Sequence, residues 1–179
     1  MRTRILFLLV VLSICSRSVP AQGSSSSVAW GQPIAYEDFD AIPSKSDTAA
    51  ANISVTILLG YSKTKSGALK FKVVAVMEKN ESWIKDEFKK HHILKHEQGH
   101  FDIAHIYAKR LETTLRQKHY SGNDIAALNT IYDRFLEEMH VLQMRYDRET
   151  KGGWDALAQS KWRRFIEGEV KRVSSPEIE

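Results

Sequence analysis

Apolar and polar residues alternate along two neighbouring stretches in the first half of the chain. In residues 51–61 and again in 69–77, apolar side chains occupy every second position, as in the series Ile53, Val55 and Ile57. A period of two predicts strands with one buried face. Residues 63–67 between the stretches are polar and end in glycine, so the pattern predicts a β-hairpin.

A helical period replaces the strand period further along the chain. Apolar residues three or four positions apart predict the buried face of a long helix. They are Ile93, Phe101, Ala104, Ala108, Leu111 and Leu115. Ser82 is a candidate N-cap for this helix, which we expect to run to about Lys118 with a break near Lys90.

Two more helices are predicted after it, over about 124–146 and 155–173. The last one is expected to place Leu157, Trp162, Phe165 and Ile166 inward. The two glycines at 152 and 153 predict a turn between these helices. A hairpin or small antiparallel sheet followed by a helical half is an α+β fold.

The N-terminus has the features of a secretory signal peptide. Arg2 and Arg4 precede a run of eight apolar residues over 5–12, and residues 19–21 end in alanine as a cleavage site requires. We therefore expect residues 1–21 to be removed, residues 22–29 to form a flexible polar lead, and residues 30–175 to form one domain. The apolar run is too short to be a membrane span, so the mature protein is predicted to be secreted or periplasmic without stable membrane insertion.

Removing the signal peptide changes the charge and the cysteine content. The 179-residue chain has a formal net charge of +4, and the signal peptide takes away three arginines and no acid, which leaves +1. This balance gives no support to nucleic-acid binding. The single cysteine, Cys15, also leaves, so the mature chain has no thiolate for catalysis, metal binding or a disulfide.

The strongest chemical signal is the motif His96-Glu97-Gln98-Gly99-His100 within the predicted long helix. Residues four apart on a helix differ by about 40° in direction, so both imidazoles can reach one metal ion. A catalytic Zn²⁺ has three protein ligands and an open position for water. Glu97 can face that water as a general base.

The segment around this motif resembles a family of secreted bacterial proteins of unknown function that are regarded as zinc-dependent, zincin-like proteases. The likeness includes Trp30 and Phe39, Ser82-Trp83, the run from Leu94 to Ala104, the segment 146–150 (Tyr-Asp-Arg-Glu-Thr) and Gln159-Ser-Lys-Trp162. It implies that His96 and His100 are zinc ligands and that Glu97 is the catalytic base. The family often has His-Gly after the 146–150 segment, where this chain has Lys151-Gly152.

The third ligand has to come from elsewhere in the chain. His105 lies five residues beyond His100, about 140° around an unbroken helix, and therefore points away. Asp147 is the preferred candidate because it falls where a helix is expected to give way to a glycine-containing turn. Glu149 and Glu112 are the alternatives.

Other residues near the motif have two interpretations each. Tyr146 could donate a hydrogen bond to a developing oxyanion, or it could simply pack beside the site. His92 could be a second metal-associated histidine or an ordinary surface residue. Asp102 is expected to support the helix rather than to bind metal.

Together these features predict a zinc metalloprotease that hydrolyses peptide bonds through a zinc-bound water, with Glu97 as general base and His96, His100 and Asp147 as ligands. Its expected partner is a peptide or protein substrate, held by backbone pairing along the 51–61 or the 69–77 strand. Two other classes remain open. One is a non-catalytic envelope protein with structural zinc, and the other is an interaction module in which the motif is accidental.

Overall fold

The computed structural model of the chain describes residues 26–121 and 124–175. It is an α+β structure in which small antiparallel sheets precede three helices, as predicted. The strands are β1 (Ser27–Ala29), β2 (Ala51–Asn52), β3 (Val55–Lys63), β4 (Leu69–Glu78) and β5 (Trp83–Ile84), and the helices are α1 (His91–Arg116), α2 (Ile125–Thr150) and α3 (Ala156–Ser174). Residues 1–21, expected to be a signal peptide, lie outside the described residues.

The predicted hairpin is confirmed as β3 and β4. The first predicted strand, 51–61, is divided, because residues 51–52 form β2 and pair with β5, while β3 begins at Val55. β3 pairs antiparallel with residues 69–77 of β4, with Ile57 opposite Ala75. Both of these side chains are fully buried, because alternate positions of each strand face the core. β1 joins the other edge of β4, so residues 27–29, which the sequence placed in a polar lead, form a strand instead.

The segment between β4 and α1 differs from its prediction. Ser82 does not cap a helix. Its buried hydroxyl donates to the Glu78 carbonyl and accepts from the Ser54 amide, and the next two residues pair with β2 as β5. A long-range strand pairing has therefore replaced the local capping preference. The predicted helical start at residue 82 is therefore wrong: residues 83–84 form β5, residues 86–88 form a single 3-10 turn, and α1 begins only at His91.

The long helix α1 is the centre of the molecule. It packs against β4 on one side and against α2 and α3 on the other. All six residues of its predicted apolar face are buried. The polar motif residues therefore lie on a rigid element that is held from two sides, which is a suitable support for a functional site.

The last two helices have the predicted order but different details. α2 continues to Thr150, four residues beyond its expected end. In α3, Trp162 and Ile166 are buried as expected, but Leu157 and Phe165 are exposed because they lie on the face turned away from α1. Within the described residues, none of the helices combines the length and the apolar character needed to cross a membrane.

Candidate metal centre

His96 and His100 lie one turn apart on the face of α1 that meets α2. Both side chains are buried, and their Nε2 atoms are 3.3 Å apart. The rings are nearly perpendicular, with an interplanar angle of 88°. Each ring therefore directs one nitrogen toward a common point, as the spacing of the motif predicted.

Asp147 reaches the same point from the last turn of α2. Its Oδ1 atom lies 3.0 Å from His96 Nε2 and 2.9 Å from His100 Nε2. Burial would raise the pKa of this carboxyl, but the hydrogen bonds with His100 and His96 hold its pKa well below the usual range. The carboxyl is therefore an anion at neutral pH, and its side chain remains about half exposed.

The end of α2 fixes where Asp147 sits. Lys151 adopts a left-handed conformation that stops the helix, and the amide of Gly152 donates to the Asp147 carbonyl. Gly153, with φ of +87°, then passes so close to His96 that a Cβ on it would lie 2.8 Å from the His96 Cβ. Asp147 was expected in a turn but lies within the helix, four residues before the chain leaves it.

The three side chains fit a divalent metal ion of the zinc type. A tetrahedral site with metal–ligand bonds of about 2.0–2.1 Å has ligand atoms about 3.3 Å apart. The three donor atoms here lie 2.9, 3.0 and 3.3 Å from one another. Two imidazole nitrogens and one carboxylate oxygen are a suitable donor set for such an ion. Within the part of the chain that the structure describes, no fourth histidine, cysteine or acidic residue joins the group.

Glu97 is buried beside the histidines and lines the same cleft. Burial raises the pKa of its carboxyl to about 7; the electrostatic influence of the His96 ring and a backbone hydrogen bond from Ile53 oppose the rise, and the negative Asp147 carboxylate adds to it. A nearby cation would favour the charged form and bring this pKa down. The carboxyl can therefore accept a proton near neutral pH, as a general base must.

The cleft that contains these residues has a volume of about 530 Å³. One wall is the extended segment 48–53, which includes β2. The floor is α1, and the opposite wall is α2 together with the turn at 152–154. Trp154 is half exposed at this rim and contacts Phe88 and His92 edge-on.

Tyr146 packs behind the histidines rather than facing the cleft. Its ring is fully buried and stacks on His96 at 4.6 Å, and its hydroxyl donates to the His96 backbone carbonyl at 3.2 Å. Of the two interpretations drawn from the sequence, the contacts match packing. With its proton used in this way, the hydroxyl is not aimed at a substrate oxyanion.

The alternative ligands lie away from the site. Glu112 pairs with Lys109 and Arg116 on α1, and Glu149 accepts from Arg145 and from the Trp162 indole. The remaining candidates are also engaged elsewhere. Asp102 accepts from the Trp30 indole, His105 stacks on Trp30, and His92 is exposed.

Three residues around the histidines were given no role from the sequence. Gln143 lies 3.2 Å from His100 Nδ1, while Gln159 and Thr150 lie 3.2 and 3.4 Å from His96 Nδ1. Thr150 and Gln159 do fall within the segments that resemble the zincin-like family, which was a signal that they matter. What they contact depends on how α2 and α3 pack, and no sequence pattern contains that information.

The fold and the site define an α+β protein with a two-histidine, one-carboxylate cluster and an adjacent glutamate in an open cleft. Residues 42–153 match the model of a family described as bacterial protein of unknown function (DUF922), and the chain belongs to that family. The match covers His96, Glu97, His100 and Asp147, and it ends before Gln159. Neither a curated protein nor a solved structure matches the chain.

Proposed function

We propose that this protein is a zinc-dependent peptidase of the bacterial cell envelope. The observation that carries the proposal is the meeting of His96, His100 and Asp147 at one point, with Glu97 in the same cleft. Three protein ligands with open space beside them are typical of a catalytic zinc site, whereas structural sites use four. This favours hydrolysis over a purely structural role for the metal.

In the proposed reaction, zinc held by the three side chains supplies Lewis-acid chemistry, polarising a carbonyl and bringing the pKa of water from 15.7 to about 7. The Glu97 carboxylate accepts the proton of the attacking water. It then donates this proton to the leaving amine nitrogen. Burial keeps the Glu97 carboxyl poorly solvated, so its proton affinity is suited to both steps.

The substrate we propose is an extended peptide. β2 pairs with β5 alone in its sheet, so among the described residues one edge of β2 has no strand partner. Residues 48–53 also line the cleft, so a peptide paired with this edge would pass beside Glu97. Small side chains at positions 49–51 leave room for the substrate backbone.

Secretion is part of the proposal because the N-terminal residues have the pattern of a signal peptide. The family is bacterial, so the compartment would be the periplasm or the medium. A peptidase without disulfides in this compartment depends on its core and its metal for stability.

Replacing Glu97 with glutamine tests the proposal. The amide keeps the shape of the carboxyl but cannot accept the proton, so Glu97→Gln should retain one zinc per chain and lose hydrolysis by about 10²- to 10⁴-fold. Zinc content is measured by elemental analysis and hydrolysis by cleavage of a fluorogenic peptide library. His96→Ala should lose both zinc and hydrolysis.

Glu112→Gln is the matched control, because Glu112 is also buried on α1 but pairs with Lys109 and Arg116 outside the cleft. It should leave both readouts unchanged. Equal cleavage by wild type and zinc-loaded Glu97→Gln would exclude Glu97 as the base. Stoichiometric zinc without any cleavage by wild type would instead indicate a non-catalytic zinc protein.

A further inference from the structure

The back of the His96 ring faces a set of hydrogen bonds that leads from the ring to the His96 backbone. Nδ1 lies 3.2 Å from Gln159 Oε1 and 3.4 Å from the Thr150 hydroxyl. Gln159 belongs to α3, whereas Thr150 belongs to α2. Two different helices therefore contact the nitrogen that faces away from Asp147.

The direction of these hydrogen bonds follows from a single carbonyl. The Tyr146 hydroxyl lies 3.2 Å from the His96 carbonyl oxygen, which can only accept, so Tyr146 must donate its one proton there. The Tyr146 oxygen then accepts from the Gln159 amide nitrogen. With its nitrogen turned to Tyr146, Gln159 must present its oxygen to His96 Nδ1.

Thr150 leads to the same conclusion independently. Its hydroxyl donates to the Tyr146 carbonyl at 2.7 Å, so its oxygen is also an acceptor toward His96 Nδ1. Two acceptors therefore face Nδ1, and that nitrogen must carry a proton. The Asp147 carboxylate accepts on the other side of the ring, at Nε2, so a metal ion that takes the place of this Nε2 hydrogen bond meets a ring that keeps its proton on Nδ1 and offers the lone pair of Nε2.

We propose that Tyr146, Gln159 and Thr150 are positioning residues that hold His96 in the Nδ1–H tautomer, so that its Nε2 is ready to bind a metal ion. The proposal rests on the proposed metal site. Gln143 is placed to do the same for His100, with its Oε1 atom 3.2 Å from His100 Nδ1. Both histidines thus use neutral amides as hydrogen-bond acceptors where many metal sites use carboxylates.

The proposed role of Gln159 makes α3 part of the metal site, although α3 supplies no metal ligand. Gln159 lies outside residues 42–153, which match the family model. Its approach to His96 spans 63 residues of sequence. Asp155 accepts from the Ala158 amide and so caps the start of α3, which fixes the helical turn that carries Gln159.

Two substitutions at Gln159 separate hydrogen bonding from shape. Gln159→Met keeps the length of the side chain but removes the acceptor, and it should weaken zinc binding by about 10- to 100-fold. Gln159→Glu keeps an acceptor for Nδ1, and although it loses the donor to Tyr146, the Tyr146 hydroxyl can turn its proton to the second carboxylate oxygen, so this variant should retain the wild-type affinity or exceed it. Affinity is measured on the purified protein by competition with a chromogenic zinc chelator.

The tautomer itself can be read from the metal-free protein by ¹⁵N NMR with labelled histidine. His96 signals are identified by their loss in His96→Gln. Wild type and Gln159→Glu should show a protonated Nδ1, and Gln159→Met should show a mixture of the two tautomers. A residue that supported only the packing of α3 would not produce this pattern or its recovery by glutamate.

Gln98→Met is the control, because Gln98 also lies on α1 and its amide makes two hydrogen bonds, accepting from the Ile34 amide and donating to the Asp102 carboxylate, neither of which involves His96 or His100. It should change neither readout. Unchanged zinc affinity and an unchanged His96 tautomer in Gln159→Met would overturn the proposal. Failure of wild type to bind zinc would refute the proposed function instead, while the NMR comparison would still decide whether the tautomer is held.

Discussion

Three histidines of α1 have different environments although they lie within ten residues of one another. His96 and His100 have partners for both ring nitrogens. His105 is stacked on Trp30 at 3.5 Å with an interplanar angle of 10°, and its buried Nε2 has no hydrogen-bond partner in the part of the chain that the structure describes. Burial therefore lowers the pKa of His105 to about 4, with a smaller contribution from Lys109.

This low pKa makes a prediction about stability at acidic pH. Between about pH 6.5 and 4 the unfolded chain binds a proton at His105 and the folded protein does not, so stability falls as the pH is lowered, by about 1.4 kcal/mol per pH unit. His105→Phe keeps a stacked ring but does not titrate. Urea unfolding at about pH 7.5 and about pH 4.5 should show wild type losing about 2–3 kcal/mol more than His105→Phe.

His119→Phe supplies the control, because His119 is exposed. It should follow wild type at both pH values. Equal losses in wild type and His105→Phe would mean that His105 titrates normally in the folded protein.

At the scale of elements, the contact between α1 and α2 depends on Gly99. A Cβ at this position would overlap the Tyr146 hydroxyl and lie 2.8 Å from its Cζ atom. The group that approaches α1 closely at this glycine is the Tyr146 ring. Tyr146 in turn stacks on His96, so the closeness of the helices and the position of the His96 ring have a common cause.

Replacing Gly99 and Gly168 by alanine should therefore have opposite effects on the free energy of unfolding. Gly99→Ala should destabilise the protein by about 1–3 kcal/mol, because Tyr146 is fully buried and has to move. Gly168→Ala in α3 has open space around it and should stabilise by about 0.5–1 kcal/mol through helix propensity. Chemical unfolding of the metal-free proteins measures both, and a stabilised Gly99→Ala would contradict the close packing of Tyr146.

At the scale of the whole molecule, the cleft is assembled from distant parts of the chain. Residues 48–53 precede α1, and Asp147 lies 47 residues after His100 on α2. A metal ion bound to all three side chains would connect α1 to α2. Such an ion binds the folded state far better than the unfolded chain, so it adds to the free energy of unfolding.

Zinc should accordingly raise the melting temperature, and a chelator should reverse the change. At a free zinc concentration a thousand times the dissociation constant, the added stability is about 4 kcal/mol. Asp147→Asn removes the anionic ligand and should reduce the shift strongly. Asp133→Asn, an exposed position on the same helix, should retain it. Identical zinc shifts in both variants would exclude Asp147 as a ligand.

Local sequence patterns were sufficient to predict much of the fold and part of the candidate site. The alternation around Ile57 predicted the hairpin, and the period from Ile93 to Leu115 predicted the buried face of α1, because both patterns reflect which side of an element meets the core. The spacing of His96 and His100 predicted their convergence, since helix geometry alone sets the angle between them. Asp147 was chosen because of its nearness to a turn, and the structure places it beside both histidines.

Tertiary packing decided the features of the fold and of the site that local sequence patterns did not predict. Serine is a common helix cap, but Ser82 lies in a strand region. Its hydroxyl accepts a hydrogen bond from the Ser54 amide and donates one to the Glu78 carbonyl. Phe165 follows the helical period but is exposed, because α3 meets α1 through another face. The side chains behind His96 come from two other helices, and their hydrogen-bond directions depend on one backbone carbonyl that becomes accessible only when α1, α2 and α3 are packed together.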